Sequence, residues 1–417
     1  MTTRFRARQI AHDLRGNLLI RPGLITIALT AAAVVLVEID HRGGEARLLG
    51  AIVREPAAAQ AVLGAIGGSV IGVVSIVYSV LVMSLTMASM QFSPRILSAF
   101  LRDPSSQNVL GVFTGTFLYC LAALRGIRTD PPFVPSLTLT GAVVLALATI
   151  AALIYFINHI AREIQVNYLA ARISRLTVAI IEHELPESPA VDAAVPPRPD
   201  EESGDVTALV SGYVQLVDLT GLAARNDLRV DVVAVPGDFV PAGAMLARVT
   251  PPPDEDTRTF IRQAFDLGPV RTLQQDVAFG LRQLVDIGLK AISPAMNDPS
   301  TCSTCIDHLG DLLCRIARRG AGARVAGDGE GVHLVLPLPT FKDYLDLAFN
   351  QLRQYGRGDL AVANRIMRAL VQIASVTTDP VRLAALRLQG RLLIEGLDPR
   401  FPPEDRVELE ARWARLR

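Results

Sequence analysis

The stretch from Ala61 to Pro94, AVLGAIGGSVIGVVSIVYSVLVMSLTMASMQFSP, decides how this chain is read, because it holds no ionisable side chain except Tyr78. At 1.5 Å per residue a helix over 65–93 is about 43 Å long, against a bilayer hydrocarbon core of about 30 Å. One end therefore projects into the headgroups, or the helix tilts.

Within it Ala65, Gly68, Gly72, Ser75, Ser79, Val82, Thr86, Ser89 and Ser93 recur at alternating spacings of three and four, a strict seven-residue repeat. Such a repeat keeps one narrow seam on one side of the helix. All of these but Val82 are small or hydroxylated. Two readings stay open. Small residues let membrane helices pack closely, and Gly64, Gly68 and Gly72 form two overlapping GxxxG steps. Alternatively, copies of the helix surround a pore in a cyclic oligomer and their hydroxyls replace part of a solute's hydration shell. The other faces carry Ile66, Val70, Val73, Val74, Val77, Leu81 and Leu85, which suit lipid or neighbouring helices.

Working outward, 417 residues with 50% apolar content and a mean hydropathy of +0.34 accommodate a membrane unit plus soluble domains. A formal net charge of zero gives no reason to expect nucleic acid. Cys120, Cys302, Cys305 and Cys314 do not form an extracellular disulfide framework, and a reduced cytoplasmic setting fits the C-terminal region. The N-terminal arginines and apolar run imitate a secretory signal, but the run continues through Val37, so an uncleaved first span over Gly23 to Ile39 is expected.

The third and fourth spans are expected over Gln107 to Leu124 and Val134 to Asn158, with small residues again at Gly111, Thr114, Gly115 and Thr116. Ser93-Pro94 reads as a helix start leading into a short surface segment from Arg95 to Arg102. Arg4, Arg6, Arg8, Arg15, Arg21, Arg95, Arg102, Arg162, Arg172 and Arg175 fall on one side of the spans. Only Arg42, Arg47, Arg54, Arg125 and Arg128 fall on the other. That asymmetry puts both termini in the cytoplasm. Apart from Glu38 at the far end of the first span, no Asp, Glu, Lys or Arg lies inside a span, which argues against a proton-coupled carrier. His159 reads as an interfacial cap at the inner edge.

The fourth span is expected to continue as a cytoplasmic helix to about Leu185, giving a first domain of 1–185, followed by a Pro- and acid-rich linker over 186–203. Over 204–250 the period changes to two, and Gly212, Gly221, Pro236-Gly237-Asp238 and Pro241-Ala242-Gly243 punctuate it as a small antiparallel β barrel or sandwich. Its segment PGDFVPAGAMLARV (Pro236 to Val249) is similar to the second half of lipoyl and biotinyl carrier domains, but the region has no lysine to carry a cofactor. Residues 251–417 read as a mainly helical domain. Its expected helices are Thr257 to Leu267, Pro269 to Ile292, Pro299 to Arg319, Thr340 to Tyr355, Asp359 to Val376, Pro380 to Glu395 and Glu404 to Arg415, with one strand over His333 to Leu336.

Within that last region Arg271, Gln275, Asp276, Asn297, Asp298 and His308 put unusual polarity into helical sequence, and Asn297-Asp298 precede a helix N-terminus, where backbone N–H groups favour anions. They are read either as a cytoplasmic ligand pocket or as a network that caps helices. Cys302, Cys305 and His308 make C-x2-C-x2-H, but on one helix the first and third side chains lie about 120° apart, too divergent for a closed tetrahedral site. No metal site is expected, and neither GxSxG, GxxxxGK[ST] nor HExxH occurs, so no enzyme activity and no cofactor are expected.

At TMASMQFSPRILSAFLRDPSSQNVLGVFTGTFLYCL (Thr86 to Leu121), at LVDIGLKAISPAMNDPSTCSTCIDHL (Leu284 to Leu309) and at SGYVQLVD (Ser211 to Asp218), the chain resembles a bacterial family of predicted membrane proteins, domain of unknown function 2254. The resemblance implies an integral inner-membrane protein with a soluble C-terminal half, and transfers no activity. The expectation is a four-helix membrane domain with a cytoplasmic α+β region, forming a homo-oligomeric channel or passive-permeation protein for an ion or small solute in the lipid bilayer. The alternative is a membrane-anchored sensor or scaffold that binds a small anion or a protein partner.

Overall fold

The computed structural model describes residues 19–43, 55–91, 103–163, 165–187, 196, 202–328 and 331–416. The arginines at 4, 6, 8, 15, 47, 54, 95 and 102, the Ser93-Pro94 start with its surface segment, and most of the linker lie outside the described residues. The chain forms two compact units that divide between Gln165 and Val166.

The first unit has four long helices: α1 Ile20–Gly43, α2 Pro56–Gln91, α3 Pro104–Leu124 and α4 Ser136–Glu163, with a short hairpin of β1 Arg128–Thr129 and β2 Pro132–Phe133 before α4. Among the described residues these four helices are long and apolar enough to cross a membrane, over Ile20–Arg42, Pro56–Met87, Pro104–Leu124 and Ser136–Arg162. The start of α3 is fixed by Asp103, whose carboxylate accepts from Ser106 N–H, and by proline in the first turn.

The helix α3 is the most enclosed of the four and packs against all the others. Lipid tails are as apolar as leucine, so close contact rather than hydrophobic transfer must hold such helices together. Glycine supplies it here. A Cβ on Gly111 would lie 2.9 Å from Ile25, and one on Gly115 would lie 2.6 Å from Leu29, so α1 sits directly on the α3 backbone. Thr26 and Thr114 share a hydroxyl–hydroxyl bond of 2.7 Å across that contact. On its other side α3 packs with α2 and α4, through Val70, Val74, Val77, Phe113 and Phe156.

The second unit opens with α5 Val166–Glu184. The expected single helix from Val134 to Leu185 is two elements, α4 ending at Glu163 and α5 beginning at Val166. Buried Leu169, Ile173, Thr177, Ile180 and Ile181 keep one helical stripe on α5.

The β region follows as β3 Gly204–Thr207, β4 Gly212–Val217, a helical turn α6 Leu219–Ala223, β5 Arg229–Val232, β6 Phe239–Val240 and β7 Met245–Thr250. It does not close on itself. After α7 Glu255–Gln263 comes β8 Phe265–Gly268, and β9 Ala323–Asp328 with β10 Gly331–Pro337 lie deep in the helical sequence. These strands complete a five-stranded sheet of order β3-β7-β5-β10-β9 and a three-stranded sheet β6-β4-β8. The two sheets share one core that includes Val206, Val214, Leu222, Val230, Val249 and Leu334. Parallel pairing of β10 with β5 therefore joins the β region to the helical one.

The remaining helices are α8 Val277–Ala291, α9 Pro299–Ala317, α10 Phe341–Tyr355, α11 Leu360–Ala374, α12 Pro380–Glu395 and α13 Pro403–Leu416. The hairpin of α8 and α9 is central, with Leu281, Leu284, Cys302, Cys305, Leu309 and Leu313 fully buried. A capping box of Thr340 and Asp343 starts α10. The expected helix over 257–267 gives way at Phe265 to β8, and the one expected from Pro269 starts only at Val277. Strand pairing of Phe265–Gly268 with β4 holds the chain extended there.

Candidate functional site

In the first unit the residues of the seven-residue repeat lie on the uncovered side of α2. Ala65, Gly68, Gly72, Ser75, Ser79, Val82 and Thr86 are all exposed, whereas Leu63, Gly67, Val70, Val74, Val77 and Ser84 turn into the bundle. A Cβ added at Gly64, Gly68 or Gly72 would meet nothing within 4 Å. Among the α2 glycines the one packed inside the bundle is Gly67, whose added Cβ would lie 3.5 Å from Cys120. Of the expected seam, the side chain of Ser89 and the whole of Ser93 lie outside the described residues.

The seam hydroxyls need no partner to be satisfied. Ser79 Oγ donates to the Ser75 carbonyl at 2.8 Å and Thr86 Oγ1 to the Val82 carbonyl at 2.9 Å, with a longer bond of 3.4 Å from Ser75 to Ile71. Each proton is committed to the helix's own backbone, so what the oxygen turns outward is acceptor capacity. The seam residue Ala65 helps, with Ile66, Ser69, Phe113, Ala146 and Leu153, to line an apolar groove of 310 Å³.

The polar residues singled out in the second unit fall into separate places. Arg271 donates through Nε and Nη2 to Asp276 Oδ2, at 2.9 and 2.6 Å, and its guanidinium lies 5.0 Å from the centre of the Phe279 ring. Asp276 in turn caps α8 by accepting from Phe279 N–H at 2.8 Å. Burial pushes the Asp276 carboxyl above the usual carboxylate range, against the opposing pull of Arg271 and of that N–H. Gln275 pairs edge-on with Val217, accepting from its N–H at 2.7 Å and donating to its carbonyl at 3.1 Å, as a neighbouring strand would. Above them Gly237, at φ +99°, leaves no room for a Cβ beside the Asp276 carboxylate. These groups line a cleft of 160 Å³ with Glu184, Asp238 and Tyr344.

Asn297 and Asp298 lie beyond the other end of α8, where Asp298 N–H donates to the Ala291 carbonyl at 2.8 Å. A 15-residue helix separates them from Asp276 by about 22 Å. Asn297 adopts a left-handed turn at φ 47°, and Asp298 caps α9 through Thr301, whose hydrogen bonds hold its carboxyl below the ordinary range. His308 lies partway along α9, where burial lowers its basicity against the raising influence of Asp307 and Asp311. Arg271, Gln275 and Asp276 are thus brought together, while Asn297, Asp298 and His308 are not added to them.

Cys302 and Cys305 are fully buried in the α9 core, which pushes the Cys302 thiol up to about 12 and the Cys305 thiol higher still. Among the described residues no group of three or more His, Cys, Asp or Glu side chains is arranged to hold a metal ion. The single-sequence reading did not find a polar groove of 600 Å³ between α9 and α11, lined by Arg315, Arg318, Arg365 and Arg368. Its two walls are about fifty residues apart in the chain, and only their spacing of three on each helix hinted at a shared face.

The family model described as "Predicted membrane protein (DUF2254)" matches residues 15–372. Uncharacterized proteins of Mycobacterium tuberculosis and of Mycobacterium bovis are each 36% identical over 364 residues, which is 84% of this chain and 70% of the relative. No solved structure matches the chain.

Proposed function

The chain belongs to the DUF2254 family of predicted membrane proteins, and from that premise we propose that it works in the bacterial inner membrane as a homo-oligomer whose α2 helices face one another around a passive path for ions or small solutes. In this reading both termini are cytoplasmic, and the second unit assembles or gates the membrane helices.

One observation carries the reading: the seven-residue repeat of small and hydroxylated residues is the face of α2 that its own bundle leaves uncovered. Small side chains let the backbones of a second copy approach. Hydroxyls committed to their own carbonyls turn oxygen lone pairs outward, which suits a cation, water or another hydrogen-bond donor better than an anion.

Reconstitution into planar bilayers tests it. The wild-type protein is expected to conduct monovalent cations or to pass a small neutral solute, and Ser75→Leu with Ser79→Leu is expected to stop the flux while the protein still assembles. A wild-type protein that passes neither cations nor small neutral solutes would contradict the proposal.

A further inference from the structure

The groove between α9 and α11 owes its floor to two small residues. A Cβ placed on Gly310 would lie 3.2 Å from that of Ala369, so the two helices approach closely there and longer side chains rise on both sides. Asp307, Asp311, Arg315 and Arg318 come from the first helix and the residue that caps it, and Arg365 and Arg368 from the second.

The charges do not cancel. Arg365 Nη2 lies 2.8 Å from Asp307, and Arg315 Nε lies 3.0 Å from Asp311, so both carboxylates are engaged. Arg318 and Arg368 are exposed, and no carboxylate pairs with either among the described residues. Buried Arg365 Nε has no hydrogen-bond partner. Arg315 Nη1 also lies 3.5 Å from Glu182 of α5, so four guanidinium groups around the 600 Å³ groove meet three carboxylates and one positive charge is in excess, with Arg318 and Arg368 outside any ion pair among the described residues.

Compensation of a helix dipole accounts for only half of this. Arg315 and Arg318 are at the C-terminal end of α9, where a cation is favourable. Arg365 and Arg368 are near the middle of α11, where the dipole offers nothing. Their neighbours on the same face, Gln372 and Ser375, supply neutral hydrogen-bonding groups rather than acids.

We propose that this groove binds a phosphate-bearing anion, held by Arg318 and Arg368 across the cleft with Arg365 between them and the Asp307 side. Arginine suits that ligand because its planar fork of N–H donors matches two oxygens of one phosphate group. The groove is separate from the cleft at Arg271 and Asp276 and does not depend on the oligomer described above.

The test uses the full-length protein in phosphatidylcholine nanodiscs, titrated calorimetrically with inorganic pyrophosphate. The wild type is expected to bind saturably, and the double variant R318Q/R368Q to bind at least about tenfold more weakly, the loss of one or more charge-assisted hydrogen bonds. R318K/R368K keeps the charge but loses the fork, and is expected to fall between the two. Arg391→Gln, an exposed arginine on α12, controls for general charge. Replacing part of the phosphatidylcholine with phosphatidylglycerol identifies the source of the anion. Competition in the wild type but not in R318Q/R368Q assigns the groove to a lipid headgroup, and unchanged affinity assigns it to a soluble phosphate. No binding by the wild type, or equal losses in R318Q/R368Q and Arg391→Gln, would overturn the proposal.

Discussion

The Asp40 carboxylate accepts hydrogen bonds from Thr138, through its N–H at 3.0 Å and its Oγ1 at 2.8 Å, and also from the Leu137 N–H at 3.1 Å. A residue near the end of α1 therefore caps the start of α4, nearly a hundred positions further along the chain. The contact needs α1 to run past Ile39, where the apolar run stops, through Asp40 to Gly43. Tyr119 Oη closes the same corner by donating to the Thr138 carbonyl at 2.9 Å.

Replacement of Asp40 by alanine leaves the first N–H groups of α4 without their acceptor. A cost of about 1 to 2 kcal/mol to the first unit is expected, in the range of lost N-caps. Detergent-solubilised Asp40→Ala should unfold at a lower temperature than the wild type, and Asp40→Asn should lie between them. Equal melting of all three would show that the cap contributes nothing.

Gly237 is required for two separate reasons, its φ of +99° and its contact with the Asp276 carboxylate. Gly243 has a similar φ of +85° but open space around it. A left-handed non-glycine residue costs roughly 1 to 3 kcal/mol. Gly237→Ala should therefore lower the stability of the second unit by clearly more than Gly243→Ala, and the difference measures the crowding against Asp276. Identical losses would mean that the turn does not press on that carboxylate.

The buried thiols should be inert in the folded protein. With Cys302 held near 12, only about one molecule in 10⁵ carries the thiolate at pH 7, and none of it is accessible. Ellman's reagent should modify Cys302 and Cys305 only after denaturation, as mass spectrometry of the labelled peptides would record. Rapid labelling of either in the native state would contradict their place in the α9 core.

The burial of His308 sets the sign of a pH dependence expected of the second unit. Burial lowers its folded pKa below the unfolded value, so the neutral form is favoured, and its contribution is present above about 6.5 and fades as the pH falls through the folded value. Stability should decline as the pH falls below about 6.5, and His308→Gln should flatten that decline. An unchanged slope in the variant would assign the effect to other groups.

Much of this architecture was legible in the residues. Long uncharged runs can satisfy their backbone only as helices, so the four apolar helices were plain, and caps such as Asp298-Pro299 and Thr340 with Asp343 start helices where they were expected. His159, expected at the inner edge as an interfacial cap, lies 2.9 Å from Asp103, the residue that starts α3. The strand Phe265–Gly268 was hidden because its sequence also continues a helical stripe, and only pairing with β4 decides between the two. Arg271, Gln275 and Asp276 lie near one another, and the length of α8 that parts them from Asn297 and Asp298 follows from where the helix starts, after the Asp276 cap rather than at Pro269. The arginine groove needed the contact of Gly310 with Ala369, which no single segment encodes.

Oxidative cross-linking in native membranes reads which surface the seam of α2 meets. Single cysteines at Gly72, Ser75 and Ser79 are compared with ones at Ile76 and Met83, exposed residues beside the seam, all in a background with Cys120, Cys302, Cys305 and Cys314 replaced by alanine. Disulfide-linked dimers are expected from Gly72→Cys, Ser75→Cys and Ser79→Cys, and little from Ile76→Cys or Met83→Cys. Equal cross-linking at all five, or none at the seam, would place that face against lipid and contradict the proposed oligomer.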